Sequence, residues 1–161
     1  MVLGFDIGGT KCAVITAETD GDNIRFTGKE KIPTELDIAP EEMIKKLIGL
    51  ADGMLGGKRP EKIGISCGGP LNSSTGTIEG PPNLPGWNNV KITDILEKHY
   101  GVCARLENDA NACAVAEWKF GAAGAQVIWF SLLSEPDWVQ VLYLTAGYIR
   151  EPTIMPEKSD I

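Results

Sequence analysis

Three short segments carry residue types whose spacing could do chemistry. In Asp6-Ile7-Gly8-Gly9-Thr10-Lys11, an aspartate closing an apolar run leads into two glycines, a hydroxyl and a lysine. Glycines let backbone come close to a ligand, and consecutive N–H groups can cradle phosphate oxygens. The aspartate could hold Mg²⁺ directly or through water. The G-x-x-x-x-G-K-[ST] spacing of a P-loop is absent, and a plain hairpin turn would use Gly-Gly equally well. In Asn108-Asp109-Ala110-Asn111, a carboxylate sits where a strand gives way to a helix. The helix dipole favours its ionised form, and such a group could accept a proton from a hydroxyl. Asn108 could fix a neighbouring hydroxyl; alternatively both residues merely cap the helix. The third segment pairs Gly68-Gly69-Pro70 with the loop Pro81–Trp87. There Asn83 offers both donor and acceptor, and Trp87 either packs on a sugar face or anchors the loop. His99 is the single histidine. It falls in the last turn of a short helix, where partial positive charge is favourable, and no catalytic or metal role is assigned to it.

These segments need elements to position them. Val2–Ile7 reads as a buried strand, Cys12–Ala17 as a second and Ile24–Ile32 as a third after a turn at Gly21-Asp22-Asn23. Tight connections predict that the three are antiparallel. Pro40 opens a helix at its first position, Glu41 and Glu42 suit its positive end, and Gly56-Gly57 stops it after Leu55. Lys62–Cys67 is a strand, and Asn72–Asn89 reads as loop. Thr93 is expected to cap a helix through Tyr100, and Val102–Leu106 to form a strand. Asn108 or Asp109 then caps a helix running to Phe120 and closed by Gly121. Hairpin strands followed by alternating helix and strand predict an α/β fold with a mixed sheet.

The chain has 161 residues, about one domain's worth. Its 43% hydrophobic and 23% charged residues are ordinary for a globular protein. No apolar run approaches the ~20 residues of a spanning helix, and the N-terminus lacks the features of a secretory signal, so a cytoplasmic protein with no membrane partner is expected. The net charge of −7 comes without any basic run; this argues against nucleic acid, which requires a local basic patch. Cys12, Cys67, Cys103 and Cys113 form no C-x-x-C pair, and reduced thiols are expected. Of the 19 glycines, 18 lie within residues 1–124 and only Gly147 beyond, so the chain changes character near Gly124.

GFDIGGTK, ISCGGP, PPNLPGW and LENDANACAVAEWKFG occur in that order. Over residues 1–124 the chain resembles the ROK family of bacterial sugar kinases and related repressors, in the actin-like ATPase superfamily. The resemblance implies an actin-like (ribonuclease H-like) N-terminal domain with a mixed sheet and helices. It implies that Asp6, Gly8, Gly9, Thr10 and Lys11 form the first phosphate loop of an ATP site, with Mg²⁺ bridging the phosphates. It further implies that Gly69, Asn83, Asn108 and Asp109 face a hexose. Asp109 would be the base that takes the proton from the attacking sugar hydroxyl, in a transfer otherwise driven by positioning and charge neutralisation.

Family members also carry a second, larger domain. It holds a second phosphate loop, a Glu and a His on the sugar, and often a cysteine-rich zinc site. None of these follows Gly124, so no zinc site is expected in this chain. The codons offer an explanation. Any codons for Asp137-Trp138-Val139, read from the third base of each, give Leu-Gly, and Met155-Pro156 likewise gives Ala. With permitted choices elsewhere, Trp138–Ile161 rereads as G-A-G-L-I-L-D-G-R-L-Y-T-G-T-N-D-N-A-G-E-V-G-H. This looks like the missing ROK segment. Residues 125–161 are therefore expected to be a divergent, frameshifted tail.

The expected function is ATP-dependent phosphorylation of glucose or a related hexose, in a truncated and inactive form. Two alternatives stand beside it. One is a sugar-sensing ROK regulator without its DNA-binding domain. The other is a non-catalytic sugar-binding half that pairs with another chain. Apolar surface where a second domain would dock predicts self-association.

Overall fold

The computed structural model describes residues 1–20 and 23–112. The expected turn at residues 21–22, the helix end at Phe120-Gly121, Cys113 and the tail 125–161 lie outside the described residues.

A five-stranded mixed sheet forms the frame, in the order β3-β2-β1-β4-β8. β1 (Val2–Ile7) is central and almost wholly apolar, as a strand covered on both faces must be. It pairs antiparallel with β2 (Lys11–Asp20), which pairs antiparallel with β3 (Asn23–Pro33). On its other side β1 runs parallel to β4 (Lys62–Cys67), which runs parallel to β8 (Ala104–Asn108). The predicted antiparallel start and mixed sheet are thus both present. β2 outruns its predicted end because Glu18, Thr19 and Asp20 continue the ladder with β3 beyond a bulge at Thr16/Ala17.

α1 spans Pro40–Leu55, the predicted bounds, with Pro40 in its first turn and Gly56 at φ 57° as its C-cap. Met43, Ile44, Leu47, Ala51 and Leu55 fall on one face and are buried. They pack with Leu3, Phe5, Ile7, Val14, Ile63 and Ile65 of the sheet in one core. Each of these fully buried side chains larger than alanine contributes about 1.5–3 kcal/mol relative to exposure.

Between β4 and α2 the chain departs from the sequence reading. The segment expected to be loop is entered by β5 (Leu71–Asn72), contains β6 (Thr77–Ile78) and is followed by β7 (Val90–Lys91). The three form a small antiparallel sheet. α2 (Ile92–Tyr100) begins one residue before Thr93, which is buried inside the helix rather than capping it. Its N–H and hydroxyl both point to the Gly76 carbonyl, at 3.4 and 3.5 Å, which ties α2 to the small sheet. β8 also starts two residues later than expected, at Ala104, because Glu97 accepts the Ala104 N–H at 2.8 Å where the strand begins. His99 contacts Asp52 of α1 at 3.2 Å and stacks edge-on with Tyr100. It is a tie between the two helices.

Register sorts the sheet into two faces. Cys12, Ile7, Cys67 and Asn108 form a row on the face covered by α1 and α2. Lys31, Ala13, Asp6, Ser66 and Glu107 form a row on the opposite face. Val2, Ile15 and Ala17 make a second apolar cluster on that opposite face.

Candidate functional site

The C-terminal ends of the parallel strands β1, β4 and β8 lie side by side, which is where open α/β sheets bind ligands. Each end leads into one of the three predicted segments. Ile7 of β1 enters the Gly8–Thr10 turn, Cys67 of β4 enters Gly68-Gly69, and Asn108 closes β8 as Asp109 begins a helix over the described residues 109–112.

The Gly8–Thr10 turn is held from outside. Thr34, just after β3, donates its hydroxyl to the Gly8 carbonyl at 2.6 Å and its N–H to the Thr10 carbonyl at 3.0 Å. Space inside the turn is minimal. A methyl group on Gly8 would lie 2.9 Å from the Lys11 carbonyl oxygen, and one on Gly9 only 2.2 Å from that of Asn83. Backbone alone fits there, as a phosphate cradle requires.

That second contact joins the turn to the Pro81–Trp87 loop. The loop is pinned by Leu84 and Trp87, both buried, and by the Gly80 N–H to the Trp87 carbonyl at 2.9 Å. Gly80 and Gly86 adopt φ values of 83° and 86°, which side chains disfavour. Trp87 is 2% exposed, so it anchors the loop and does not present a stacking face. Asn83, directly before the Leu84 anchor, is exposed.

Asn83, Asn108 and Asp109 converge on the Gly68-Gly69 backbone. A methyl on Gly68 would sit 3.7 Å from the Asn83 side-chain amide and 3.9 Å from Asp109 Oδ2. One on Gly69 would sit 3.4 Å from Asn108 Nδ2. The Ala110 N–H reaches Asp109 Oδ1 at 2.8 Å and Asn108 Oδ1 at 3.0 Å. Both residues therefore cap the helix, and they still turn Oδ2 and Nδ2 toward the glycines. Capping and ligand binding, alternatives in the sequence, are compatible here.

Two supporting residues escaped the sequence reading. Thr34 is one; its signal was a Pro-Thr pair ending a strand. Glu107 is the other. Its Oε1 accepts the Asn108 N–H at 2.8 Å and the Asn111 side chain at 3.0 Å. It orients Asn108 from behind, and its place directly before Asn-Asp was the available clue.

The electrostatics follow from burial. Burial raises the Asp6 carboxyl above its usual 3.8; Lys29 opposes the shift, and the Asp109 charge adds to it. Burial also pushes the Cys67 thiol up to about 12, with Asp109 contributing. Asp6 thus feels the Asp109 charge across the strand ends. No group of three or more His, Cys, Asp or Glu side chains is gathered among the described residues. The chain offers instead one carboxylate beside a backbone cradle. That donor set fits Mg²⁺ carried on phosphates, which takes one or two carboxylates and keeps waters.

The ROK family model matches residues 2–131. A glucokinase of Thermotoga maritima is 31% identical over 121 residues, covering 75% of this chain and 37% of that protein. A putative xylose repressor of Caldicellulosiruptor is 35% identical over 132 residues, covering 77% of this chain and 31% of the repressor. The crystal structure of a ROK family glucokinase from Streptomyces griseus, in complex with glucose and AMPPNP, superimposes with a TM-score of 0.64 at 30% identity. That match covers 77% of this chain and 38% of the glucokinase. The chain spans less than two fifths of the length of these relatives.

Proposed function

This chain belongs to the ROK family, and we propose that it forms one wall of an ATP-dependent hexose kinase site. In this reading Asp6, Gly8, Gly9, Thr10 and Lys11 hold the phosphates of ATP, with Asp6 toward Mg²⁺. Gly69, Asn83, Asn108 and Asp109 take the hexose. ATP supplies the phosphoryl group and Mg²⁺ neutralises its charge. Asp109 Oδ2 receives the proton of the attacking sugar hydroxyl, a role worth roughly 10²–10⁴-fold in rate. Asn108 and Asn83 orient that hydroxyl and its neighbours. Thr34 and Glu107 position the two halves.

The observation that carries this reading is the convergence of the Asn83 amide, Asn108 Nδ2 and Asp109 Oδ2 on the Gly68-Gly69 backbone, with the Gly9 turn in contact with Asn83. A proton acceptor, hydroxyl-fixing amides and a phosphate cradle at adjacent strand ends are what sugar phosphorylation needs. Kinase relatives, and a glucokinase complex with glucose and AMPPNP, support the substrate assignment.

Calorimetric titration of the full chain with glucose tests the sugar half. Binding is expected, and Asn83→Ala or Asn108→Ala should weaken it about tenfold or more, each amide being a neutral hydrogen-bonding group worth about 1 kcal/mol plus the partner it leaves unpaired. A folded chain with no glucose affinity sinks the assignment. The chain as it stands is proposed to transfer phosphate negligibly, its residues 125–161 being read out of frame. Sequencing the gene from the Phe120 codon onward decides that point. Repair of one nucleotide should then restore transfer, and Asp109→Asn in the repaired protein should slow it roughly 10²–10⁴-fold while sparing glucose binding. A sugar-sensing regulator is the second reading, favoured by the xylose repressor match. It predicts glucose or pentose binding without any ATP·Mg²⁺ affinity.

A further inference from the structure

The hairpin β2–β3 carries three lysines beside Asp6 that the kinase reading uses only in part. In the sheet register Asp6 pairs with Ala13 and Ala13 with Lys31, so the three share one row and one face. Lys29 lies one row back on the same face, opposite Ile15, which itself pairs with Gly4. Lys11 starts β2 on that face, immediately after the Gly8–Thr10 turn. Strands are about 4.8 Å apart, so Lys31 and Asp6 have backbones roughly 10 Å apart with only an alanine methyl between them. A lysine stem of about 6 Å can lean across that gap over Ala13, and beyond Ile15 the glycine at Gly4 adds no side chain in the path of Lys29.

The cluster is poorly compensated. The Asp6 carboxylate attracts all three lysines. None of these three lysines enters an ion pair among the described residues. Lys11 and Lys31 are exposed and Lys29 is half-buried. Burial and the neighbouring Lys31 both push the Lys29 ammonium below its usual value, a like-charge crowding that costs stability. In a chain of net charge −7, three mutually repelling cations beside a backbone cradle call for an anion that spans them.

We propose that Lys29 and Lys31, together with Lys11, form a cationic wall that binds the outer groups of a linked phosphoryl chain of three or more units seated on the Gly8–Thr10 turn. This rests on the assignment of that turn to phosphate, and extends it to two β3 residues. A nucleoside triphosphate and an inorganic tripolyphosphate share this chemistry. They differ in whether a base and sugar add affinity.

The test titrates the full 161-residue chain with sodium tripolyphosphate and, separately, with ATP·Mg²⁺, by calorimetry. Wild type, Lys29→Gln/Lys31→Gln, Lys29→Arg/Lys31→Arg and Lys11→Gln are compared, with circular dichroism and thermal midpoint as folding controls. Wild type is expected to bind at least one ligand, with affinity falling as salt rises. The Gln pair should weaken it roughly tenfold, from two partly exposed charge contacts, and the Arg pair should restore it. If the folded Gln pair binds like wild type while Lys11→Gln loses affinity, the wall is refuted and the phosphate turn stands. If wild type binds neither ligand, the wall is refuted and the donor half of the kinase reading falls with it; glucose binding, measured apart, still reports on the sugar half. Tripolyphosphate binding without ATP·Mg²⁺ binding upholds the wall and identifies an inorganic chain as its ligand.

Discussion

Alanine at Gly9 would bring a methyl carbon to 2.2 Å from the Asn83 carbonyl oxygen and 2.8 Å from its Cβ. Such contacts normally stop near 3.2 Å, so the two segments must separate by about 1 Å. Both obstacles belong to a loop pinned by Leu84 and Trp87, and the turn opposite is pinned by Thr34. Neither side can yield cheaply. Overpacking of this kind costs about 1–3 kcal/mol, or roughly 3–15 °C in thermal midpoint for a domain of this size. The contrasting substitution is Gly49→Ala in α1. There an added methyl meets nothing within 4 Å, and helix propensity predicts a gain of about 0.5–1 kcal/mol. Thermal and urea unfolding of the two variants should therefore move in opposite directions. Glucose affinity should fall for Gly9→Ala, because the displaced Asn83 belongs to the proposed sugar site, and stay unchanged for Gly49→Ala. A Gly9→Ala protein with wild-type midpoint and wild-type glucose affinity would refute the close approach of turn and loop on which the site depends.

Three further outcomes are expected. Because burial raises the Asp6 carboxyl, the folded protein holds that proton more tightly than the unfolded chain; the associated stability is full below about pH 3.8 and is lost as pH rises through the raised value. Asp6→Asn should thus gain in urea midpoint relative to wild type between about pH 3.5 and pH 7, and a pH-independent difference would contradict this. Trp87→Ala should cost about 3–5 kcal/mol in chemical unfolding, and native tryptophan emission should include a component shielded from acrylamide; a mild effect would mean that Trp87 is not the loop's anchor. Among Cys12, Cys67 and Cys103, only Cys103 is exposed, so a thiol reagent followed by peptide mapping should label Cys103 quickly. Cys67, pushed up to about 12, should react only on unfolding, and fast native labelling of it would contradict its burial.

Much of the frame was legible because its signals are local. β1, α1 and β4 have the predicted bounds, since continuous apolar runs, Pro40 and Gly56 each act on their own segment. What stayed illegible depends on distant partners. The two-residue strands β5, β6 and β7 have no periodicity to read and exist through one another. Thr93 looks like a cap in sequence, yet Gly76, 17 residues away, claims its hydroxyl. β8 is delimited by the Glu97 side chain rather than by its own residues. At the site, the glycines, Asn83, Asn108 and Asp109 could be named from spacing and resemblance. That Gly9 touches Asn83, and that Thr34 and Glu107 brace the two halves, required the fold.

β3 has one further property. Among the described residues it is an outermost strand of the sheet and, at 11 residues, long for that place. A long sheet edge is a template on which another chain can add a strand, the first step toward cross-β stacking. β3 carries Arg25, Lys29, Glu30 and Lys31 along its length and ends in Pro33, and it bulges at Thr27, opposite the Thr16/Ala17 step of β2. Charge, proline and a bulge are the means by which natural edges refuse such additions. The lysines that favour a phosphoryl chain therefore also guard the protein against aggregating through its edge. Neutralising them should raise turbidity on prolonged warming even where folding is intact, and the arginine pair should keep the solution clear.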